Sequence, residues 1–128
     1  MQPDAAKAIV RRYFETYHTD RERAVREFVA DPGLAEHGRQ MQAAFPNYQL
    51  TAEDMIAEGD KVAVRFRVRG VHRGPLIGIA PTGREVETDA IIIYRLAGGR
   101  IVEHWMQVDM PSVFQQLGAA PAGATAPG

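Results

Sequence analysis

The chain has 128 residues, of which 45% are hydrophobic and 24% charged, and its formal net charge at pH 7 is −1. These values fit one soluble domain, and the near-neutral balance gives no electrostatic support for binding nucleic acid or an anionic membrane. The absence of cysteine excludes disulfides, zinc–thiolate sites and thiol nucleophiles. No stretch approaches the run of about 20 apolar residues that a membrane span needs. The first residues lack the apolar block of a signal peptide, so we expect a cytoplasmic protein.

Apolar periodicity predicts three helices before the first strand, over residues 4–18, 20–29 and 34–45. Asp4 is the expected N-cap of the first helix, because a carboxylate accepts backbone N–H groups at a helix start. Tyr13 and Tyr17 lie on the apolar face of this helix, where a buried phenol needs a hydrogen-bond partner. His37 lies on the inward face of the third helix, which Pro46 ends.

The periodicity then changes to two residues, which predicts four strands, over residues 48–58, 62–72, 85–96 and 100–108. Asp109 precedes a short helix over 111–117, and Gly118 ends it. Helices followed by strands with short turns form an α+β pattern, in which the helices pack on one face of a curved antiparallel sheet. The domain is expected to span residues 1–118, and small residues and proline predict disorder for residues 119–128.

One face of this sheet is predicted to be charged, because basic residues alternate along the second strand and acidic residues along the third. The ladder consists of Arg65, Arg67, Arg69, Glu85, Glu87 and Asp89. The same alternation turns Ile91 and Ile93 outward, which indicates that a second copy of the chain covers this end of the face as a homodimer. In a regular last strand, Ile101, Glu103 and Trp105 share this outer face, where Trp105 can stack on an arginine.

The opposite face is predicted to be mostly Val, Ile, Met and Phe, and it includes Met106. Its polar members are Tyr13, Tyr17, His37, Thr88, Tyr94 and His104. An apolar chamber with a few convergent polar groups is typical of a small-molecule site. We therefore expect the partner to be a hydrophobic small molecule, bound between the helices and the sheet.

Three segments carry a resemblance to a known family: GVHRGPLIGIAPTGR at 70–84, RLAGGRIVEHW at 95–105, and Asp109 followed by QQLG at 115–118. With the order of helices and sheet, they are similar to the SnoaL-like polyketide cyclases of the nuclear-transport-factor-2-like superfamily. The likeness extends from Ile9 to Gly118 and implies a cone-shaped α+β fold over an apolar pocket. The superfamily hosts cyclases, isomerases, dehydratases and non-enzymes, so the fold alone does not specify a reaction.

In the cyclases that this chain resembles, acid–base catalysis needs no cofactor. A strand aspartate removes an α-proton from a polyketide ester, a histidine on the neighbouring strand assists at the enolate, and an intramolecular aldol closure follows. The aspartate position falls on Met106 and the histidine position on Ile92. Neither side chain moves a proton, so that form of the mechanism is not expected here. Tyr17 matches a substrate-facing tyrosine of some members, and His37 lies near another polar pocket position.

His104 is the first candidate for a general acid or base, because histidine titrates near neutral pH; its alternative is a core histidine bonded to a helix tyrosine. Tyr17 and Tyr13 are candidate donors to a ligand carbonyl; the alternative is that they are core aromatics with their hydroxyls at the rim. His37 is either a second donor in the pocket or a helix histidine near solvent. Asp109 acts in catalysis if the last strand bulges, and otherwise it caps the helix that follows. His72, in a loop rich in glycine and proline, either contacts the ligand at the pocket mouth or lies on the surface.

The residues expected to contact the ligand are His37, Tyr13, Ile92, Tyr94, Met106 and His72. The four histidines lack the spacing of metal ligands, so we expect no metal site. Two functions fit the sequence. The first is acid–base cyclisation or isomerisation of a hydrophobic, polyketide-like carbonyl or ester compound, with His104 as main acid or base. The second is a ligand-binding or accessory protein, which the apolar Ile92 and Met106 favour.

Overall fold

A computed structural model describes residues 2–119 of the chain. The elements in chain order are α1 Pro3–Thr19, α2 Arg21–Phe28, α3 Pro32–Ala44, β1 Gln49–Glu58, β2 Lys61–Val71, β3 Glu85–Ala97, β4 Arg100–Val108 and α4 Met110–Leu117. Helices precede a curved, unclosed antiparallel sheet, so the predicted α+β class is confirmed. Residues 120–128, most of the segment expected to be disordered, lie outside the described residues. No helix in the described part of the chain is long and apolar enough to cross a membrane.

The helix starts differ from the predicted ones in two places. The prediction that Asp4 caps α1 is wrong: α1 begins at Pro3 after Gln2, whose side chain makes no capping hydrogen bond, and Asp4 lies in the first turn. A carboxylate in the first turn still stabilises the helix, because its negative charge interacts with the positive end of the helix dipole. α3 begins at Pro32 rather than at Leu34, because the Asp31 side chain accepts hydrogen bonds from the N–H groups of Gly33 and Leu34.

The four strands form a meander in the order β1-β2-β3-β4, and every neighbouring pair is antiparallel. The charged outer ladder is confirmed. Arg67 lies 3.1 Å from Glu87 and 3.3 Å from Asp89, and Arg69 is hydrogen-bonded to Glu85. These side chains are exposed, so their contribution to the free energy of folding is small. Because these charged side chains occupy the outer face of β2 and β3, the alternate side chains of both strands point toward the helices.

A β-bulge in β4 changes one predicted face. Arg95 pairs with Glu103 and Leu96 pairs with Ile101, which leaves Val102 as the extra residue. The prediction that Ile101 points outward is therefore wrong, because the bulge turns it inward and buries it completely. Glu103 does remain outside, where it accepts a hydrogen bond from Arg95 at 2.7 Å rather than from the arginines of β2.

Trp105 also lies on the outer face, and its indole is 45% exposed. The expected arginine stack is wrong: the cation over the ring is Lys61, whose Nζ lies 5.4 Å from the ring centroid. Lys61 begins β2, and its partner Arg95 extends instead toward Glu103. The indole consequently keeps a large apolar surface facing solvent.

The core lies between α1 and the inner face of the sheet. Tyr13 packs edge-on against Tyr94, with ring centroids 6.0 Å apart, and Phe14 packs in the same way against Phe66 at 6.2 Å. Edge-to-face pairs of this kind place the positive ring edge against the negative ring face. These contacts pack α1 across β2 and β3, so that α1 forms one wall of a cavity between the helices and the sheet.

The loop between β2 and β3 closes over the end of α3. The N–H groups of Arg73 and Gly74 both donate to the carbonyl of Ala44, at 3.0 and 3.1 Å. A Cβ atom on Gly74 would lie 1.9 Å from the carbonyl oxygen of Ala43, a distance that no side chain tolerates. Glycine is therefore required at residue 74 for the loop to approach the helix so closely.

Candidate active site

A cavity of about 110 Å³ lies between the helices and the inner face of the sheet. This volume far exceeds the roughly 10–15 Å³ that a single water needs, so the space admits a small organic group. Most of its wall is apolar. The lining residues are Tyr13, Tyr17, Leu34, His37, Gly38, Met41, Phe45, Tyr48, Leu50, Phe66, Val68, Gly70, Leu76, Val86, Thr88, Ile92, Tyr94, Met106, Val108, Met110 and Val113.

Six of the residues that the sequence placed at the site do line this cavity. They are Tyr13, Tyr17, His37, Ile92, Tyr94 and Met106. Ile92 and Met106, onto which the resemblance maps the histidine and the aspartate of the cyclases, are direct cross-strand partners and both line the cavity. Both are apolar here, and any proton transfer has to come from another part of the wall.

Tyr17 forms the polar end of the cavity together with Tyr48. Their hydroxyl oxygens are within hydrogen-bonding contact, and both side chains are buried. Tyr48 was not among the predicted site residues: it begins the predicted strand 48–58, whose inward and outward faces were not assigned, and the observed β1 starts one residue later, at Gln49. One signal was available: Tyr48 has the same parity as Leu50, which also lines the cavity.

Arg21, the first residue of α2, was also missed. Its guanidinium carbon lies 4.8 Å from the ring centroid of Tyr17 and 4.8 Å from that of Tyr48. One terminal nitrogen donates to the side-chain oxygen of Gln42, while Nε is buried without a hydrogen-bond partner among the described residues. No sequence pattern predicts that this arginine is partly buried, since charged residues near a helix start are usually solvated.

Three phenols of the cavity wall are held in their neutral form. Burial raises the pKa of Tyr13, Tyr48 and Tyr94 above the ordinary value, and the neighbouring tyrosines raise it further. Arg21 acts in the opposite direction on Tyr13 and Tyr48, but its effect on the pKa is smaller. At neutral pH the cavity therefore presents O–H groups, which can donate hydrogen bonds to a ligand oxygen.

His37 is the histidine on the cavity wall. Its pKa is lowered, first by burial and second by the charge of the nearby His104. A lowered pKa leaves the imidazole neutral at pH 7, so one ring nitrogen is free to accept a proton. His37 is thus a base of suitable protonation state, in contact with whatever the cavity holds.

His104 lies on the same face of β4 as Met106 but is not part of the cavity wall. Its Nδ1 lies 2.6 Å from Oδ2 of Asp31, and the two side chains are mostly buried, with 20% and 14% of their surface exposed. Neither sequence-based expectation is met, because the partner of His104 is a carboxylate rather than a tyrosine or a ligand. Backbone hydrogen bonds bring Asp31 close to His104. The N–H groups of Ala30 and Asp31 donate to the carbonyl of Ile101, three residues before His104.

Asp31 has two structural tasks, since it caps α3 and binds His104. Burial by itself would raise the pKa of Asp31, but the hydrogen bonds from His104, Leu34 and Gly33 outweigh it and hold the pKa below the ordinary value. The carboxylate is therefore charged at neutral pH and fixes the orientation of the His104 ring.

The expected position of His72, on a loop at the mouth of the pocket, is wrong. His72 is completely buried, and its ring packs on Phe45 with centroids 5.5 Å apart. Its Nδ1 is 3.0 Å from the hydroxyl of Thr82 and accepts the backbone N–H of the same residue. The Gly- and Pro-rich loop folds inward around this imidazole, which does not line the cavity.

Asp109 is confirmed as a helix cap, since it accepts the N–H of Ser112 at 3.2 Å at the start of α4. Its side chain lies at a polar cleft on the outer face with Arg67 and Glu87, away from the apolar cavity. The bulge of β4 falls near its beginning rather than at this end, so Asp109 is not turned inward. Within residues 2–119, no group of three or more His, Asp or Glu side chains has the arrangement of a metal site.

Comparison with known proteins agrees with this architecture. The model of the SnoaL-like polyketide cyclase family matches residues 7–117. The aklanonic acid methyl ester cyclase DnrD of Streptomyces peucetius is 29% identical, in an alignment that covers 86% of this chain and 88% of the relative. The corresponding cyclase AcmA of Streptomyces galilaeus is 28% identical over 87% of this chain and 89% of the relative.

Solved structures show the same fold. The structure of IdmH from Streptomyces antibioticus, a proposed polyketide cyclase, superposes with a TM-score of 0.75 at 27% identity, over 89% of this chain and 99% of IdmH. AclR from S. galilaeus, a proposed hydroxylase, gives a TM-score of 0.78 at 26% identity, over 91% of this chain and 86% of AclR. With a family model that matches nearly all of the described residues, the chain belongs to the SnoaL-like polyketide cyclase family.

Proposed function

We propose that the protein catalyses an acid–base cyclisation or isomerisation of a hydrophobic, polyketide-like carbonyl or ester compound, without a cofactor. The observation that carries this proposal is the pairing, on one apolar cavity wall, of a neutral imidazole with neutral phenols. Family membership and the cyclase names of the relatives support the substrate class.

In the proposed reaction, His37 accepts the α-proton of the bound carbonyl compound while Tyr17 donates a hydrogen bond to its oxygen. The enolate carbon then attacks a second carbonyl of the same molecule, which forms the new carbon–carbon bond. The resulting alkoxide takes the proton back from protonated His37, so no proton or electron is gained or lost overall. In an isomerisation the proton returns to a different carbon.

His104 was the preferred acid or base in the sequence, and its position gives it a different role in this proposal. Held by Asp31 and close to His37, it acts as a positioning residue that adds to the effect of burial in lowering the pKa of His37. Asp109 has no part in the reaction, since it lies on the outer face.

A binding function is the second candidate. The two cavity positions that carry the catalytic pair in the cyclases are Ile92 and Met106 here, which favours a protein that holds a ligand without converting it. The described cavity wall fits such a ligand equally well, because its apolar surface and few hydrogen-bond donors serve affinity as well as catalysis.

A panel of β-keto esters and 1,3-diketones distinguishes the two functions. Binding is measured by the quenching of intrinsic fluorescence, and conversion by chromatography of the reaction mixture after prolonged incubation. We expect conversion of at least one compound that binds. Binding across the panel with no conversion above the buffer control would contradict the enzyme proposal and leave the binding function.

We further propose that the protein is a homodimer through the outer face of the sheet. Four apolar residues form one row across all four strands, each the direct cross-strand neighbour of the next: Ile56, Ala63, Ile93 and Trp105. Ile56 is 68% exposed, and Ile91, two residues before Ile93 on the same face of β3, is 53% exposed. Ala63 is half-buried, and the other three members of the row are exposed. A continuous apolar row with such exposed members on a sheet face is typical of a protein–protein interface.

Sedimentation velocity at micromolar concentration tests the dimer. We expect the wild-type protein to sediment as a dimer and Ile93→Lys as a monomer, because the lysine would place a charge in the middle of the row. Ile77→Lys is the control, since Ile77 is exposed to 58% but lies in the loop between β2 and β3. A monomeric wild-type protein would show that the row is not an interface of this kind.

A further inference from the structure

We propose that Tyr17 and Tyr48, with the Arg21 guanidinium over their rings rather than on the cavity wall, form an oxyanion site at the polar end of the cavity, one that binds the enolate or phenolate oxygen of a hydrophobic ligand. The proposal deepens the proposed function and rests on it for the identity of the ligand. It adds two residues, Tyr48 and Arg21, for which the reaction above has no role.

The number of hydroxyl protons gives the first argument. Tyr17 and Tyr48 have one O–H each, and their oxygens are hydrogen-bonded to each other. That contact uses one of the two protons, so one O–H is left to donate to another acceptor. Because both side chains line the cavity, a ligand oxygen is a suitable acceptor. A hydroxyl that already accepts a hydrogen bond is a stronger donor, which increases the attraction for a charged oxygen.

The charge of Arg21 gives the second argument. The guanidinium carbon lies 4.8 Å from the centroid of each phenol ring. Its positive charge therefore acts on the polar end of the cavity, which these two tyrosines form. Its identified hydrogen bond goes to the neutral side chain of Gln42, and no carboxylate among the described residues forms an ion pair with it. A partly buried cation with a neutral partner favours an anion nearby, since the anion would compensate the charge in a region of low dielectric.

The shape of the site gives the third argument. A Cβ atom on Gly38 would lie 3.1 Å from the hydroxyl oxygen of Tyr17, so the glycine leaves room beside this hydroxyl. The rest of the wall nearby is apolar, with Phe66 and Val68 among its members. The site therefore selects a flat, hydrophobic molecule with one acidic oxygen over a cation or a strongly hydrated anion.

4-Nitrophenol is the probe for this site, because its anion and its neutral form have separate absorption bands. The protein is titrated with the probe at a pH below the pKa of the free probe, and the ionised fraction of the bound probe is read from the spectrum. We expect the wild-type protein to bind the anion in preference, so that the ratio of anion to neutral form is higher in the bound than in the free probe.

Two variants test whether Tyr48 and Arg21 cause the preference for the anion, and a third variant is the control. Tyr48→Phe removes one hydroxyl, and Arg21→Met removes the charge but keeps an apolar side chain over the rings. Each is expected to lower the anion-to-neutral ratio of the bound probe about tenfold or more, as for the loss of a charge-assisted hydrogen bond. Arg12→Met is the matched control, because Arg12 lies 5.9 Å from the ring centroid of Phe28, which does not line the cavity as Tyr17 and Tyr48 do. It is expected to keep the wild-type ratio.

Three results would overturn the oxyanion site: no binding of the probe, binding of the neutral form in preference, or an unchanged ratio in Arg21→Met that is folded by circular dichroism. If Arg21→Met does not fold, the ratio in Tyr48→Phe decides. The result is independent of turnover. If the protein binds the probe anion in preference but converts no β-keto ester, the oxyanion site is supported and only the proposed reaction is contradicted.

Discussion

Replacing His37 by glutamine is expected to lower kcat about 100-fold or more on any β-keto ester or diketone that the wild-type protein converts. General acid–base catalysis by a positioned side chain contributes roughly 10²–10⁴-fold. His37 lines the cavity, and its lowered pKa makes it a neutral base at pH 7. Glutamine has a similar length and hydrogen-bonding capacity but cannot take the proton. The measurement is kcat and KM by steady-state kinetics, and KM is expected to change little.

His104→Gln is the comparison that separates the two histidines. Because His104 does not line the cavity, its replacement is expected to lower kcat less than His37→Gln does. The pH profile gives a second check. The base must be unprotonated, so wild-type activity should fall as the pH drops through the pKa of His37, which lies below the ordinary value of about 6.5. Equal kcat values for wild type and His37→Gln would remove His37 from the mechanism.

Asp31→Ala is expected to lower the free energy of unfolding by about 3 kcal/mol at pH 7, from the loss of a helix cap together with a charged hydrogen bond. The carboxylate accepts the N–H groups of Gly33 and Leu34 and lies 2.6 Å from His104. Removal of this side chain leaves the Leu34 N–H and the His104 ring without this partner in partly buried surroundings, whereas the Gly33 N–H is exposed. Urea unfolding followed by circular dichroism measures the change.

Stability as a function of pH tests the charge of Asp31. The pKa of this carboxyl is lowered in the folded protein, so its contribution is complete above the unfolded pKa of about 3.9 and is lost as the pH falls through the folded pKa. The difference between wild type and Asp31→Ala should therefore narrow below about pH 4. Asp20→Ala is the control: Asp20 caps α2 through Arg23 alone, and its loss should cost about 1 kcal/mol. If the difference in unfolding free energy between wild type and Asp31→Ala stays constant down to pH 3, the charged Asp31 carboxylate is not the source of this stability.

The sequence by itself determined the class and the faces of the sheet. A period of two places charged residues such as Arg67 and Asp89 on one side of β2 and β3, and apolar residues such as Ile92 on the other, because side chains alternate strictly along a regular strand. The resemblance in segments such as RIVEHW was sufficient for the family, which the family model confirms. The cap at Asp109 followed from local chemistry alone.

The tertiary structure decided which polar side chains meet. Tyr48 and Arg21 reach Tyr17 because α2 and the start of β1 lie beside the end of α1, and no periodicity within one segment reports a contact between segments. In the same way, Asp31 reaches His104 only because β4 bonds to the chain before α3. One extra residue at the bulge turned Ile101 inward, which a regular alternation cannot foresee. Local pattern thus specified the faces, and packing between distant segments specified the site.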